Sequence, residues 1–150
     1  MSLDNIFGIA GTALNAQLVR MNATASNLAN AGTTAGSEQE AFKAKRAIFK
    51  ALVDDNLTNG GAAYVGGVKV DRIMDDQTPV QPIYDPGNPI ADERGYVYPA
   101  NVNEVTEMVD MMASSRSYQN NVEVVNTARQ LMLRTLELTR RVHNLDVVLV

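Results

Sequence analysis

From Asp4 to Asn30 the chain carries only two charged side chains, Asp4 and Arg20. The stretch nevertheless repeats on a heptad. Phe7, Leu14, Met21 and Leu28 share one position, and Gly11, Leu18 and Ala25 share another. Such spacing predicts a helix, which at 1.5 Å per residue runs roughly 40 Å. A helix that stands in water keeps a charged face opposite its apolar stripe, and this one has none. An ordinary core helix is one reading. The scarcity of charge favours another, in which the helix has partners on more than one side and completes its folding in an assembly. Small residues at 10, 13, 16, 23, 25 and 29, all alanine, would let neighbouring helices approach closely.

The far end, from Asn101 to about Arg141, is also apolar at helical spacing, at Val105, Met108, Met112, Val122, Val125, Met132, Leu133 and Leu136. Between Ser114 and Asn121 its face turns polar, a pattern that lowers stability but fixes register and partner choice. Met108, Met111, Met112 and Met132 make a soft surface suited to core or binding face alike. An oxygen-bearing residue between Ser2 and Asp4 is expected to cap the first helix, and Gly32 to close it in a left-handed conformation. Asn101, with Glu104 three residues on, resembles a capping box for the last helix.

The middle is different. Residues 31–40 read as a loop. Lys45–Val53 alternates as a strand with Ala47, Phe49, Ala51 and Val53 on one face, with a short helix as the alternative. Asn59-Gly60-Gly61 signals a turn. Tyr64–Met74 alternates best, with Val68, Val70, Arg72 and Met74 facing one way and Lys69, Asp71, Ile73 and Asp75 the other; Gly66-Gly67 suggests a bulge or a close backbone approach. All five prolines fall between Thr78 and Pro99, which excludes a helix there. Tyr96 and Tyr98 are expected on one face of a short strand. The fold class is therefore mainly α with a small β-rich middle, divided as 1–31, 32–100, 101–140 and a C-terminal extension, 141–150.

A chain of 150 residues is one domain in size, and with five Tyr, three Phe and no Trp its core must be small and aliphatic. Net charge is −4 without a basic run, which argues against nucleic acid and an anionic membrane surface. The absence of cysteine excludes disulfides and thiolate metal sites. Asn, Gln, Thr and Gly interrupt the N-terminal apolar stretch, so neither a cleavable signal peptide nor a membrane span is expected. The lone His143 lacks a nearby nucleophile or second ligand. The acidic pairs at 54–55, 75–76 and 92–93 read as solvated carboxylates rather than a catalytic pair. Phosphate-binding loop and nucleophile-elbow patterns are absent. No enzyme, cofactor or metal site is expected.

Three segments in order resemble the axial proteins of the bacterial flagellum, most closely the C-type proximal rod proteins. They are residues 2–7 through 21–30, ending Ser26-Asn27-Leu28-Ala29-Asn30; residues 84–97, with Tyr84-Asp85-Pro86-Gly87-Asn88-Pro89 and Ala91-Asp92-Glu93-Arg94-Gly95-Tyr96-Val97; and residues 101–123, with Asn101-Val102-Asn103-Glu104 and Ser117-Tyr118-Gln119-Asn120-Asn121. The resemblance extends to about Leu138. It implies terminal helices paired as a coiled coil in the inner layer of a helical tube, with the middle facing outward. It implies export through the flagellar type III apparatus without a cleaved signal peptide, in an unfolded state, and a place in the torque-transmitting rod that crosses the periplasm. Implied partners are copies of itself, other rod proteins, the rod–ring junction protein and the basal-body ring, with no direct membrane insertion. On this reading Phe7, Leu14, Leu18, Met21, Leu28, Val105, Met108, Met112, Val122, Val125, Met132 and Leu136 form subunit interfaces, while Asn27 and Asn30 close the helix end or link subunits. The competing readings are a cytoplasmic helical adaptor, another axial subunit and, more distantly, a cell-wall hydrolase.

Overall fold

The computed structural model describes residues 3–52 and 66–148, with side chains described between Asn5 and Arg141 in those spans. Two helices dominate, α1 (Leu3–Asn30) and α2 (Glu104–Val148). Among the described residues between them lie five short strands: β1 (Thr34–Ala35), β2 (Lys45–Ala51), β3 (Val68–Asp75), β4 (Ile83–Tyr84) and β5 (Tyr96–Pro99). The helices run antiparallel. Asn27 near the end of α1 meets Glu107 near the start of α2, and Ile6 lines a groove with Ala128. At 1.5 Å per residue α2 is about 25 Å longer than α1. It continues as helix through the last segment of the chain to Val148.

Both helix ends differ from expectation in detail. Gly32 is not left-handed; among the described residues positive φ occurs at Gly67 and Gly95 only. The end of α1 is closed instead by tight turns that occupy its last carbonyls. Ala31 N–H donates to Leu28 O (3.3 Å), and Thr33 donates both N–H (3.0 Å) and hydroxyl (2.7 Å) to Asn30 O. The cap of α2 is Asn103 rather than Asn101. Asn103 Oδ1 accepts from Thr106 N–H at 3.0 Å, and its carbonyl accepts from Glu107 N–H at 3.0 Å. Asn101 has other work: its Oδ1 accepts from Ala44 N–H (2.7 Å) and its amide donates to Asp76 O and Thr78 O (2.8 and 3.1 Å). It thereby ties three separate stretches of backbone together.

β2 and β3 form an antiparallel hairpin lying along α1. Its register runs from Lys45 opposite Asp75 to Ile48 opposite Arg72, then shifts so that Phe49 faces Val70 and Ala51 faces Val68. Asp71 is the extra residue of a β-bulge. Because side chains alternate with a strict period of two, one inserted residue reverses every face beyond it. The expected grouping of Val68, Val70, Arg72 and Met74 is thus corrected: Ala47 and Phe49 share their face with Ile73, Val70 and Val68, and Arg72 and Met74 point away. Ile73 accordingly lines a pocket with Val19, Asn22, Ala23 and Ser26 of α1. The double glycine marks a close approach instead of the bulge. A Cβ on Gly67 would stand 2.8 Å from Thr12 Oγ1, the same hydroxyl that accepts from Val68 N–H. Val53, Tyr64 and the Asn59-Gly60-Gly61 turn lie outside the described residues.

The second sheet has the order β1-β5-β4, all antiparallel, with Val97 buried at its centre. Glu93-Arg94-Gly95 makes its hairpin turn. Gly95 N–H donates to Asp92 O, Asp92 N–H donates to Tyr96 O, and Gly95 takes a φ of 82° that a side chain would oppose. Asp85-Pro86-Gly87-Asn88 is a second turn, closed by Asn88 N–H on Asp85 O at 3.1 Å, with proline presetting φ at its second position. Tyr84 and Tyr96 meet edge to face, centroids 5.2 Å apart.

The buried apolar residues among those described are Ala10, Ala16, Ala23, Ala41, Ala44, Ala128 and Val97. A buried methyl contributes about 0.8 kcal/mol, against about 1.5–3 for a leucine-sized side chain. The monomer is held by close backbone approach and hydrogen bonds more than by bulk apolar burial. Replacing Asn103 with alanine removes the α2 cap and is expected to lower stability by about 1 kcal/mol, readable in urea unfolding followed by circular dichroism.

Candidate subunit interface

A polar node sits where the end of α1, the start of β2 and the start of α2 converge. Asn27 is fully buried. Its amide accepts from Lys45 N–H (2.7 Å) and donates to Lys45 O (3.0 Å), pairing with β2 as another strand residue would. The same Nδ2 donates to Glu107 Oε2 at 2.9 Å. Glu107 is also fully buried, and its Oε1 receives Arg46 Nη1 at 2.6 Å. Arg46 Nε reaches Asp76 Oδ2 at 3.5 Å, and Asp76 N–H closes the ring by donating to Ala44 O. Every buried polar group here has a partner, the condition under which a buried ion pair stabilises rather than strains a fold.

Charge follows this geometry. Burial works against the Arg46 guanidinium, but its hydrogen bond and attraction to Glu107, with Asp76 adding, outweigh that and raise its pKa. Asp76 is held below the usual carboxylate range by the Thr78 hydroxyl and N–H, with Arg46 assisting. Asp92 is lowered chiefly by Tyr96 N–H, then by Arg94 N–H and the Tyr98 hydroxyl. Tyr98 is raised by desolvation and by Asp92. Arg46 and Glu107 tie β2 to α2, and the Asp76 and Asp92 bonds are ties within turns. Among the described residues no group of His, Asp and Glu is placed to hold a metal ion. The side chain of His143 lies outside the described ones. Among the described residues no helix is long and apolar enough to cross a membrane.

The apolar positions singled out from the sequence lie elsewhere. On α1, Ala10, Thr24 and Asn27 are buried, each one residue before the stripe positions Gly11, Ala25 and Leu28. One residue is about 100° of helix, so the stripe looks outward. Leu18 is 47% exposed, and Phe7, Leu14, Met21 and Leu28 are half-buried. On α2 the buried residues are Glu107, Ser114 and Ala128, with Asn121 half-buried at the same seven-residue interval. Val105, Met108, Val109 and Met112 occupy the opposite face, 71, 53, 55 and 65% exposed. Val122, Val125 and Met132 are half-buried, and Leu136 is exposed. Asn30 turns back on its own helix, donating to Ser26 O. Of the fourteen positions, Asn27 alone is fully buried. Sequence reasoning missed Arg46, Asp76 and the buried role of Glu107. The available signal was the seven-residue interval 107–114–121–128, occupied by small or polar residues.

The N-terminal stripe and the α2 segment coincide with known sequence families. Residues 7–36 match the model of flagella basal body rod proteins, and residues 93–138 match that of the C-terminal region of flagellar basal body rod FlgEFG proteins. The chain is 49% identical over 138 residues to flagellar basal-body rod protein FlgC of Escherichia coli O6:H1, covering 92% of this chain and 98% of that one. It is 48% identical to the Salmonella typhimurium protein of that name over the same shares. It is 32% identical over 149 residues to that of Bacillus subtilis, covering 92% and 99%. The chain belongs to the flagellar basal-body rod protein family. That family is structural, so the chain is not an enzyme. The family-model matches cover most of α1 and α2, the helices that carry the outward apolar faces.

Two outcomes follow for the node and the turn. Asn27→Ala leaves Lys45 N–H and C=O unpaired and is expected to cost at least about 2 kcal/mol, seen as a lower urea midpoint with unchanged slope. Asp92 has a depressed folded pKa, so it stabilises above the ordinary aspartate pKa of about 4 and ceases to as pH falls through its folded value. Asp92→Asn should melt earlier than the parent at pH 7, and the two curves should converge toward pH 2.

Proposed function

We propose that this chain is a structural subunit of the proximal rod of the bacterial flagellar basal body, polymerising through the outward faces of α1 and α2. One observation carries the reading: the fold buries alanines and leaves Leu18, Val105, Met108, Val109 and Met112 about half or more exposed. An isolated soluble protein does not keep two such helical stripes in water. In a tube of stacked copies each stripe meets another, and many helices packed side by side resist twisting, the property a drive shaft needs. The seven-residue interval on α2 supports a coiled-coil geometry for the α1–α2 pair.

The alanine seam also suits export. A chain with little apolar bulk in its monomeric core is easily kept unfolded for passage through a narrow channel. The ordering of its helices on assembly then disfavours polymerisation before arrival. Route and partners on this reading are the flagellar type III apparatus without a cleaved signal peptide, other rod subunits, the rod–ring junction protein and the basal-body ring. Assembly would place the chain in the basal body, across the periplasm.

Leu18→Asp and Met112→Asp test this. Both side chains are already solvent-exposed in the single chain, so its stability should change by no more than about 0.5 kcal/mol. Swimming should be lost and the chain should be missing from purified basal bodies. Motile cells carrying either variant would refute the assignment of these faces to assembly. Parent chain that stays soluble in the cytoplasm and never enters basal bodies would favour the helical-adaptor reading.

A further inference from the structure

Arg20 is the one charged side chain between Asp4 and Asn30, and it lies on the helix face of the buried Ala16, Ala23, Thr24 and Asn27. Its guanidinium carbon stands 4.6 Å from the centroid of the half-buried Phe49 ring of β2. Stacking of this kind occupies the face of the guanidinium and leaves the N–H groups of its edge free to donate. Among the described residues no carboxylate pairs with it. Thr24, one turn further along α1, is 4% exposed. Its hydroxyl also has no hydrogen-bond partner among the described residues, an uncommon and costly state for a group so deeply placed. Arg20 and Thr24 line one cleft between α1, β2 and α2, of about 280 Å³, together with Lys45, Arg46 and Asp110.

We propose that this cleft binds a carboxylate, through the free edge of Arg20 and the hydroxyl of Thr24. Arg46 adds a third donor, because its bonds to Glu107, Asp76 and Asp110 use Nη1 and Nε and leave Nη2 without a partner among the described residues. A guanidinium edge matches the two oxygens of a carboxylate, and bonds of this charged kind are the strong ones. The volume suits one acidic side chain or a small acid and is too small for a nucleotide. The charge balance narrows the guest further. Lys45 Nζ is answered by Asp75 at 2.5 Å, and Arg46 is shared by Glu107, Asp76 and Asp110 at 2.6, 3.5 and 3.9 Å. With Arg20, three cations thus face four carboxylates, so the cleft does not draw anions from a distance. Recognition rests on contact with Arg20 and Thr24, which favours the single charge of a carboxylate over the two of a phosphate. Asp110 is the like charge that opposes the guest. An acidic side chain of a neighbouring protein and a free small acid carry the same group. The site is complete within one chain and does not depend on the rod reading.

The test is a nuclear magnetic resonance titration of the isolated, nitrogen-15-labelled chain with sodium acetate, against sodium phosphate and sodium chloride at equal ionic strength. Acetate should shift the Arg20 Nε–H and the Thr24 amide in a saturable way, phosphate should do so more weakly, and chloride should not. Arg20→Gln and Thr24→Val should each weaken acetate binding by about tenfold. Asp110→Asn should tighten it by about threefold, since a like charge is removed, and a gain of binding cannot come from a failure to fold. No saturable response to acetate, or one that Arg20→Gln leaves unchanged, would overturn the proposal. The source of the carboxylate is read from purified basal bodies treated with a water-soluble carbodiimide, which joins an amine to a carboxylate in contact with it. With acetate binding established, a link from Lys45 to an acidic residue of another chain identifies a neighbouring protein as the source, and the absence of such a link identifies a free small acid. Absence of the chain from basal bodies would refute the rod reading and leave the acetate result standing.

Discussion

The amide of Asn27 is the joint on which the rest of the structure hangs. One side chain completes the hydrogen bonding of Lys45 in β2 and holds the Glu107 carboxylate of α2. Three elements far apart in sequence are thereby fixed in one register. Among the described residues the buried apolar groups nearby are alanines, whose contacts tolerate sliding. The direction of the hydrogen bonds and the buried Glu107–Arg46 pair supply the specificity that the small core lacks.

Fixing that end decides what happens at the other. With Asn27 against Glu107, residues of small volume fall along the α1–α2 seam, and every large apolar side chain of the two stripes is turned outward or left half-covered. The hairpin β2–β3 takes a second side of α1, with Thr12 and Gly67 in close approach. α1 thus has α2 on one side, a β-hairpin on another and an open apolar stripe on the third. On the proposed reading, that side links a poorly filled monomer to a polymer: burial withheld from the single chain would become available between copies.

Much of this was legible beforehand. Helical spacing located α1 and the start of α2 to within about three residues, while both expected caps, Gly32 and Asn101, proved wrong and α2 runs on to Val148, past the expected Arg141; the prolines excluded helix from residues 78–99. Other features depend on pairs of strands or on competition between similar residues. The bulge at Asp71 is a property of the β2–β3 pairing, and nothing in the alternation of β3 alone distinguishes it. Asn101 and Asn103 are chemically identical candidates for the α2 cap; Asn103 wins because Asn101 is drawn to Ala44 and Asp76. The face that α1 turns to the rest of its own chain was not legible for a different reason. Hydrophobicity ranks leucine and methionine as core, yet the buried residues of α1 are Ala10, Ala16, Ala23, Thr24 and Asn27.

The most direct test of this account is the solvent accessibility of Met108 and Met112, 53 and 65% exposed in the single chain. Oxidation to the sulfoxide depends on exposure and is read residue by residue by mass spectrometry. Brief peroxide treatment of the isolated chain should oxidise both methionines, and the same treatment of intact basal bodies should leave both protected. Equal oxidation in the two states would show that this face stays in water after assembly and would contradict the account.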